Sequence, residues 1–460
     1  MKGRDIMKHY DYIIIGFGKG GKTLAGDLAA KGKNVAMIEE SKEMYGGTCI
    51  NIACIPTKIL VHHAEKKQQQ NITKQEFYKQ AIDDKDKVTA KLRNTNYHNL
   101  ADQETAMVYT AKANFVSDKQ IHLVSETESL DLTADYFVIN TGSEPVIPPI
   151  EGIEETNNVY TSTELQKVDE LPKELIIAGG GYIGLEFAAM YANFGSKVTV
   201  IDSSDEFMEQ EDQDIAAEIK KVLEEKAITI IQKSKVSQVK NHNQGIEITY
   251  AKDDDTQNQL TASALLLATG RKPNTSELTL DKAGIETNDK GAIVVDENLK
   301  TTTDHIWALG DVNGGPQFTY ISLDDYRIVR DQIFGGGSYN LDKRKNVPYS
   351  VFIEPILSHV GLNEKNVKEN NVKYDVATMP AAAIPRTKIN KQPNGLLKAI
   401  IDPDTKEILG CTLFCAGSSE MINIVRVAME ANLPYTFLRD NIFTHPTMSE
   451  GLNDLFKKFN

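Results

Sequence analysis

Two of the four cysteines stand close together in the segment Gly46-Gly47-Thr48-Cys49-Ile50-Asn51-Ile52-Ala53-Cys54-Ile55-Pro56-Thr57-Lys58. Four residues separate the thiols and the residues that follow have helical character, so the sulfurs can lie on adjacent turns within disulfide reach. A redox-active pair is therefore feasible. Buried packing is the usual fate of a free cysteine, but it explains neither the Gly-Gly-Thr before the pair nor the Pro-Thr-Lys after it. By contrast, Cys411 and Cys415 sit in the apolar run Ile408 to Ala416, with a spacing that puts both on one face of a strand. Buried packing is the expectation there.

A reactive pair needs elements to hold it and a source of electrons. The strand Tyr12 to Ile15 runs into Gly16, Gly18 and Gly21, then an Ala-rich helix to Ala30, then a strand Asn34 to Ile38 that ends at Glu39. The same order recurs with Leu175 to Ala178, then Gly179, Gly181 and Gly184, a helix through Phe194, a strand Lys197 to Ile201, and Asp202. In both copies the acid lies at one offset from the first glycine. The first glycine makes the tight turn, the second admits a pyrophosphate, the third lets helix pack on strand, and the acid accepts from a ribose. Two copies in matching contexts point to two dinucleotide sites. At the second, Asp202 favours a ribose 2'-hydroxyl over a 2'-phosphate and Ser203 to Glu209 contain no Arg, so NADH is the first expectation and NADPH stays open.

The remaining organisation follows from strands and breaks. Phe137 to Gly142 reads as a strand that enters a Pro-rich linker, and Leu265 to Gly270 closes the second domain in a similar way. A strand near Ile306 ends in Gly310-Asp311, and residues 64–112 read as a polar, helical excursion. These signals divide the chain into 1–149, 150–272, 273–345 and a layered C-terminal part, 346–460, with its helix over Ser419 to Ala431. The fold class is α/β, with two Rossmann-like domains and a C-terminal α+β domain.

Composition limits the partners. With 51 Lys and Arg against 65 Asp and Glu, the net charge of -14 disfavours a nucleic-acid backbone. No apolar run reaches membrane-span length, Met1 to Tyr10 lacks a signal-peptide apolar region, and so few cysteines form no secreted framework. A cytoplasmic protein is the expectation. His62 and His63 face different ways on a helix with no third ligand near, so no metal centre is expected.

The cysteine segment resembles the signature of the pyridine-nucleotide-disulfide oxidoreductases, which include glutathione reductase, dihydrolipoamide dehydrogenase and mercuric reductase. The resemblance covers essentially the whole chain. It implies that the first glycine motif, Gly16, Gly18, Gly21 and Glu39, holds FAD together with Thr48, Lys58, Gly142, Gly310 and Asp311. The second, Gly179, Gly181, Gly184 and Asp202 with Gly270, holds the nicotinamide nucleotide. Thr444-His445-Pro446-Thr447-Met448-Ser449-Glu450 matches the family's His-Pro motif, which implies a homodimer in which His445 and Glu450 complete the partner's site. Cys54 would be the flavin-side thiol and Cys49 the exposed nucleophile, its thiolate favoured by the following helix and by proton exchange with His445. Lys58 and Glu186 would pair beside the flavin.

Within the family, the segments Ile14-Ile15-Gly16-Phe17-Gly18-Lys19, Gln317 to Asp331, Arg344 to Phe352 and Glu420 to Val425 are similar to the reactive-chlorine-resistance flavoproteins described as hypothiocyanous acid reductases. The chain ends Leu455 to Asn460 without the vicinal cysteines of mercuric reductases, and Phe443 stands where dihydrolipoamide dehydrogenases usually have a first His. A small oxidant, hypothiocyanous acid first, is the expected substrate. Reduction of Cu(II) or another metal ion, and general disulfide or lipoamide reduction, are alternatives in the same chemistry. A scaffold whose nucleotide sites serve structure only is the alternative from another class.

Overall fold

The computed structural model describes residues 8–66, 72–127, 129–252 and 256–459. Residues 1–7, on which part of the leader argument falls, lie outside them. The chain separates into two compact units. The first takes the chain up to Leu60, Gln80–Val146 and Gly270–Lys343; the second takes Val61–Lys79, Ile147–Thr269 and Arg344–Asn460.

The first unit is built on strand β1 (Lys8–Ile15), helix α1 (Lys19–Ala30) and strand β2 (Val35–Glu39). The apolar end of β1 is buried on both faces, as a central parallel strand must be. Ile13 and Ile15 join a core with Ala36, Ile38 and Phe137, whereas Tyr12 and Ile14 face Leu24, Leu28 and Val138. The sheet runs Ala106–Thr110, β2, β1, Ser129–Ile139, Gln120–Val124, Lys112–Ser117, with Ile306–Ala308 also on Ser129–Ile139. Its first four strands and Ile306–Ala308 pair in parallel. The excursion read over residues 64–112 is thus only partly helical. A long helix covers Lys74–Ala101, but Ala106–Thr110 returns as a sheet edge because it can pair with β2.

Asn140, buried at the end of the central strand, ties this unit's loops together. Its Oδ1 accepts from the Gly21 N–H at 2.9 Å, and its Nδ2 donates to the Leu309 carbonyl at 2.5 Å. A Cβ on Gly18 would lie 2.4 Å from the same Oδ1, so only glycine fits there.

The second unit repeats the device. Its parallel sheet runs Thr229–Ile231, Lys197–Ile201, Glu174–Ala178, Ala264–Leu267, Val159–Thr161. The helix Tyr182–Phe194 packs so closely that a Cβ on Gly184 would meet the Gly179 carbonyl oxygen at 2.1 Å. The C-terminal part of the unit is an antiparallel sheet ordered Tyr349–Val351, Leu357–Gly361, Ile408–Phe414, Leu396–Ile401, Asp375–Pro380. Helix Ser418–Glu430 buries Met421, Ile422 and Val425 against it. The mixed α/β class, with two Rossmann-like sheets and a C-terminal α+β layer, is the one the sequence leads one to expect.

Lys398 fastens the loop beyond Asp202 to this C-terminal sheet. It is 2% exposed and meets Asp212 at 2.9 Å, Asp214 at 2.9 Å and Glu364 at 2.6 Å. Its ammonium pulls the Glu364 carboxyl below the usual carboxylate range. Removing the cation would leave Asp212 and Asp214 without it while Glu364 keeps Lys368 at 3.0 Å, and loss of a counter-charge costs about 3–5 kcal/mol at a buried pair. Lys398→Met is expected to lower unfolding stability by about that amount in denaturant titration; a loss below about 1 kcal/mol would show that the acids relax to solvent.

Candidate active site

The cysteine pair is positioned by a turn that only glycines can make. Gly46 and Gly47 have φ of +97° and +81°, and a Cβ on Gly47 would come within 2.8 Å of Gly18 Cα. The turn therefore rests directly on the first glycine loop. Helix α2 (Thr48–Asn51) carries Cys49, and helix α3 (Cys54–Ala64) opens on Cys54. Asn51 locks the turn between them. Its Nδ2 donates to the Tyr45 and Gly47 carbonyls, both at 3.0 Å, while its Oδ1 accepts from Arg93 Nε at 2.9 Å. Arg93 is itself ion-paired with Glu43.

The two thiols are free and hydrogen-bonded to each other. The Cys49 thiol donates to Cys54 and holds its pKa down to about 6 against burial, helped by the Thr319 hydroxyl and the Lys58 ammonium. Thr319 Oγ1 lies 3.3 Å from Cys54 Sγ. The same hydrogen bond, with burial, pushes Cys49 well above the ordinary thiol range. The reduced pair thus carries one proton on Cys49 and one charge on Cys54. This differs from the sequence expectation of a thiolate on Cys49: Thr319 favours negative charge at both sulfurs, but Cys49 donates to Cys54, and Cys54 also opens the longer helix. The sequence reading also missed Thr319. A hydroxyl at the start of helix Thr319–Phe334, soon after Gly310-Asp311, is the signal that could have found it.

The residues at both glycine motifs fit dinucleotides. Helix Tyr182–Phe194 starts at Gly181 with no side-chain cap and no acid in the first turn, which leaves its first N–H groups for an anion, whereas in α1 the Gly20 and Gly21 N–H groups go to Ser322 Oγ and Asn140 Oδ1, which leaves the Gly18 and Lys19 N–H groups for that task. A Cβ at Gly142, Gly181 or Gly270 would meet nothing within 4 Å, which leaves backbone lining open space. Glu39 is aimed by the Phe17 and Ser41 N–H groups at 3.1 and 3.3 Å, and burial pushes its carboxyl up to about 7. Asp202 accepts from the Gly180 N–H at 3.4 Å and from Ser204. Asp311 accepts from Ser143 Oγ at 2.7 Å through one oxygen, leaving the other for a hydroxylated chain. Gly310, with φ of +74°, lies against Ser322 and Asn140.

The other candidate residues divide between the units. Lys58 is on α3, one turn beyond Cys54, in the first unit. In the second, Glu186 is buried on helix Tyr182–Phe194 and accepts from the Phe352 N–H at 2.8 Å. There too, His445 Nδ1 and Glu450 Oε2 are 2.7 Å apart, and the imidazole is 69% exposed. Cys411 ends up inside strand Ile408–Phe414 and Cys415 just past it, both in the C-terminal core, and burial pushes both thiols up. Among the described residues no group of three or more His, Cys, Asp or Glu could hold a metal, and no helix is long and apolar enough to cross a membrane.

Because Thr319 is a donor to the Cys54 thiolate, Thr319→Val is expected to raise that thiol's titration midpoint from about 6 by about one pH unit. Thiolate absorbance of the reduced protein against pH measures it. An unmoved midpoint would mean that Cys49 alone sets the charge.

Comparison with known proteins agrees with this geometry. Residues 10–325 match the model of the pyridine nucleotide-disulphide oxidoreductase family and residues 347–456 that of its dimerisation domain. The chain is 49% identical to the pyridine nucleotide-disulfide oxidoreductase RclA of Escherichia coli, over 98% of this chain and 99% of that one. It is 31% identical to a mercuric reductase of Lysinibacillus sphaericus, over 96% and 81%. Among solved structures, the Cu(II) complex of the HOCl-induced flavoprotein disulfide reductase RclA from Escherichia coli superposes with a TM-score of 0.93 at 49% identity, covering 98% of this chain and 100% of that one. The chain belongs to the pyridine nucleotide-disulphide oxidoreductases, which use FAD and NAD(P)H, and is a flavoprotein disulfide reductase.

Proposed function

We propose that this enzyme reduces a small sulfur-centred oxidant, hypothiocyanous acid first, to thiocyanate and water through the Cys49–Cys54 pair. The observation that carries the reading is the pair of free thiols on adjoining helices, hydrogen-bonded to each other, with Thr319 Oγ1 3.3 Å from Cys54 Sγ. One thiol, one thiolate and hypothiocyanous acid together make one disulfide, one thiocyanate and one water, with charge and protons balanced. Cys49 attacks the oxidant's sulfur and hydroxide leaves, taking up the Cys49 proton as water. Cys54 then attacks Cys49 Sγ, expels thiocyanate and re-forms the disulfide. When bound, FAD and the nicotinamide nucleotide supply the two electrons that reopen the disulfide.

The residues have matching tasks. Gly16, Gly18, Gly21, Glu39, Thr48, Gly142, Gly310 and Asp311 would hold FAD, and Gly179, Gly181, Gly184, Asp202 and Gly270 the nicotinamide nucleotide. Lys58 favours negative charge at Cys54 and, with Glu186, would stand beside the flavin. His445 of the partner subunit, oriented by its Glu450, would carry the Cys49 proton to the departing hydroxide. Ile442, 96% exposed three residues before His445, suits burial against a second copy of the chain. NADH is the preferred donor, since the walls beyond Asp202 carry Glu206, Glu209 and Glu211 against Lys220. The HOCl-induced E. coli relative supports a role in oxidant defence, and its Cu(II) complex supports a second reading, metal-ion reduction by the same thiols.

Steady-state turnover decides between them. NADH-driven reduction of hypothiocyanous acid should exceed that of Cu(II), lipoamide and glutathione disulfide, and efficient lipoamide reduction alone would refute the proposal. Cys49→Ser and Cys54→Ser should each lower that turnover at least roughly a hundredfold. A higher kcat/KM with NADPH would overturn the nucleotide assignment.

A further inference from the structure

Lys22 is a charged group near the cysteines for which the scheme above has no use. It stands on α1, one turn inside the first glycine loop, and its Nζ donates to the Gly46 carbonyl at 2.9 Å. Gly46 begins the turn that delivers Cys49, and that turn cannot move far, because Gly47 already touches Gly18. The ammonium is therefore fixed relative to the segment bearing Cys49. One of its three protons goes to Gly46, which leaves two donors and the full charge.

We propose that Lys22 is the cation of the Cys49 sulfur's surroundings, a specificity-determining residue that favours small anions and anion-releasing oxidants there. The proposal rests on the reading that Cys49 is the sulfur that meets the oxidant. Both leaving groups in that reaction are anions as they depart, hydroxide from the attacked sulfur and thiocyanate from Cys49, so a nearby ammonium stabilises each departure. Lys22 takes no proton in this role. Burial, then Lys19 on the same helix, brings its own pKa down to about 8, while Cys49 on α2 pushes the other way. The reciprocal effect lowers Cys49. Lysine and sulfur thus sense each other's charge, and the lysine remains mainly protonated at neutral pH.

The test uses the FAD-loaded enzyme reduced with NADH and two alkylating probes of similar shape, anionic iodoacetate and neutral iodoacetamide, with the labelled cysteine identified by peptide mass mapping. Since His445 of the partner subunit takes the Cys49 proton in the proposed reaction, the expected result is labelling at Cys49, with an iodoacetate-to-iodoacetamide rate ratio that falls roughly three- to tenfold in Lys22→Met, the influence of one nearby unit charge. Lys22→Arg should retain most of the ratio. Since Lys22→Met also removes the Gly46 bond, the unsubstituted enzyme provides a control: its ratio should fall as salt rises from about 0.01 M to about 1 M and the screening length shrinks from about 30 to about 3 Å. Labelling at Cys49 with a ratio that neither Lys22→Met nor salt moves overturns the role of Lys22 alone. Labelling at Cys54 instead overturns Cys49 as the interchange sulfur, and the role of Lys22 with it.

Discussion

One shared proton is the constraint on which the chemistry depends. Two buried thiolates this close would repel, and two thiols would be poor nucleophiles, so the useful state is the intermediate one. Cys49 holds the proton and donates it, and Cys54 carries the charge with Thr319 and Lys58 in support. In the proposed reaction the asymmetry gives the sulfurs different work: a protonated Cys49 would be kept from reacting until a base relieves it, while Cys54 would close the disulfide as soon as Cys49 becomes electrophilic. Burial alone would give the opposite result, since it raises both thiols, as it does at Cys411 and Cys415.

The backbone around the pair serves that asymmetry. Gly47 lies on Gly18, so the turn that presents Cys49 and the loop that opens α1 form one rigid piece. Asn140 extends it by holding Gly21 and Leu309, and Asn51 with Arg93 fixes its outer side. Displacement of the sulfurs relative to the first dinucleotide loop would need several hydrogen bonds to break together. Electron transfer over short distances benefits from such a frame, because its geometry is set before any ligand arrives.

Much of this was legible in the sequence, and the parts that were not share a cause. The two strand, glycine-loop and helix units could be read because local backbone needs impose them: Gly16 and Gly179 must take positive φ, and Gly18 and Gly184 leave no room for a Cβ. The cysteine pair was visible for the same reason, through Gly46 and Gly47. Thr319 and Lys22 were not, since one comes from a helix hundreds of residues away and the other looks like an ordinary helix lysine until Gly46 is brought to it. The strand Ala106–Thr110 was hidden in a polar stretch because an edge strand needs only one buried neighbour. The site of the charge depends on which sulfur has more donors, and that is a property of the folded pair.

The same distinction between local and summed properties bears on the chain's overall charge. A net charge of -14 would suggest a surface hostile to anions. Yet beyond about 8 Å exposed charges are largely screened at physiological salt, so a reacting sulfur responds to its immediate neighbours. Around Cys49 and Cys54 those neighbours are Lys22 and Lys58, both sensed by the thiols as favouring negative charge. An acidic protein can therefore keep cationic surroundings at its thiols.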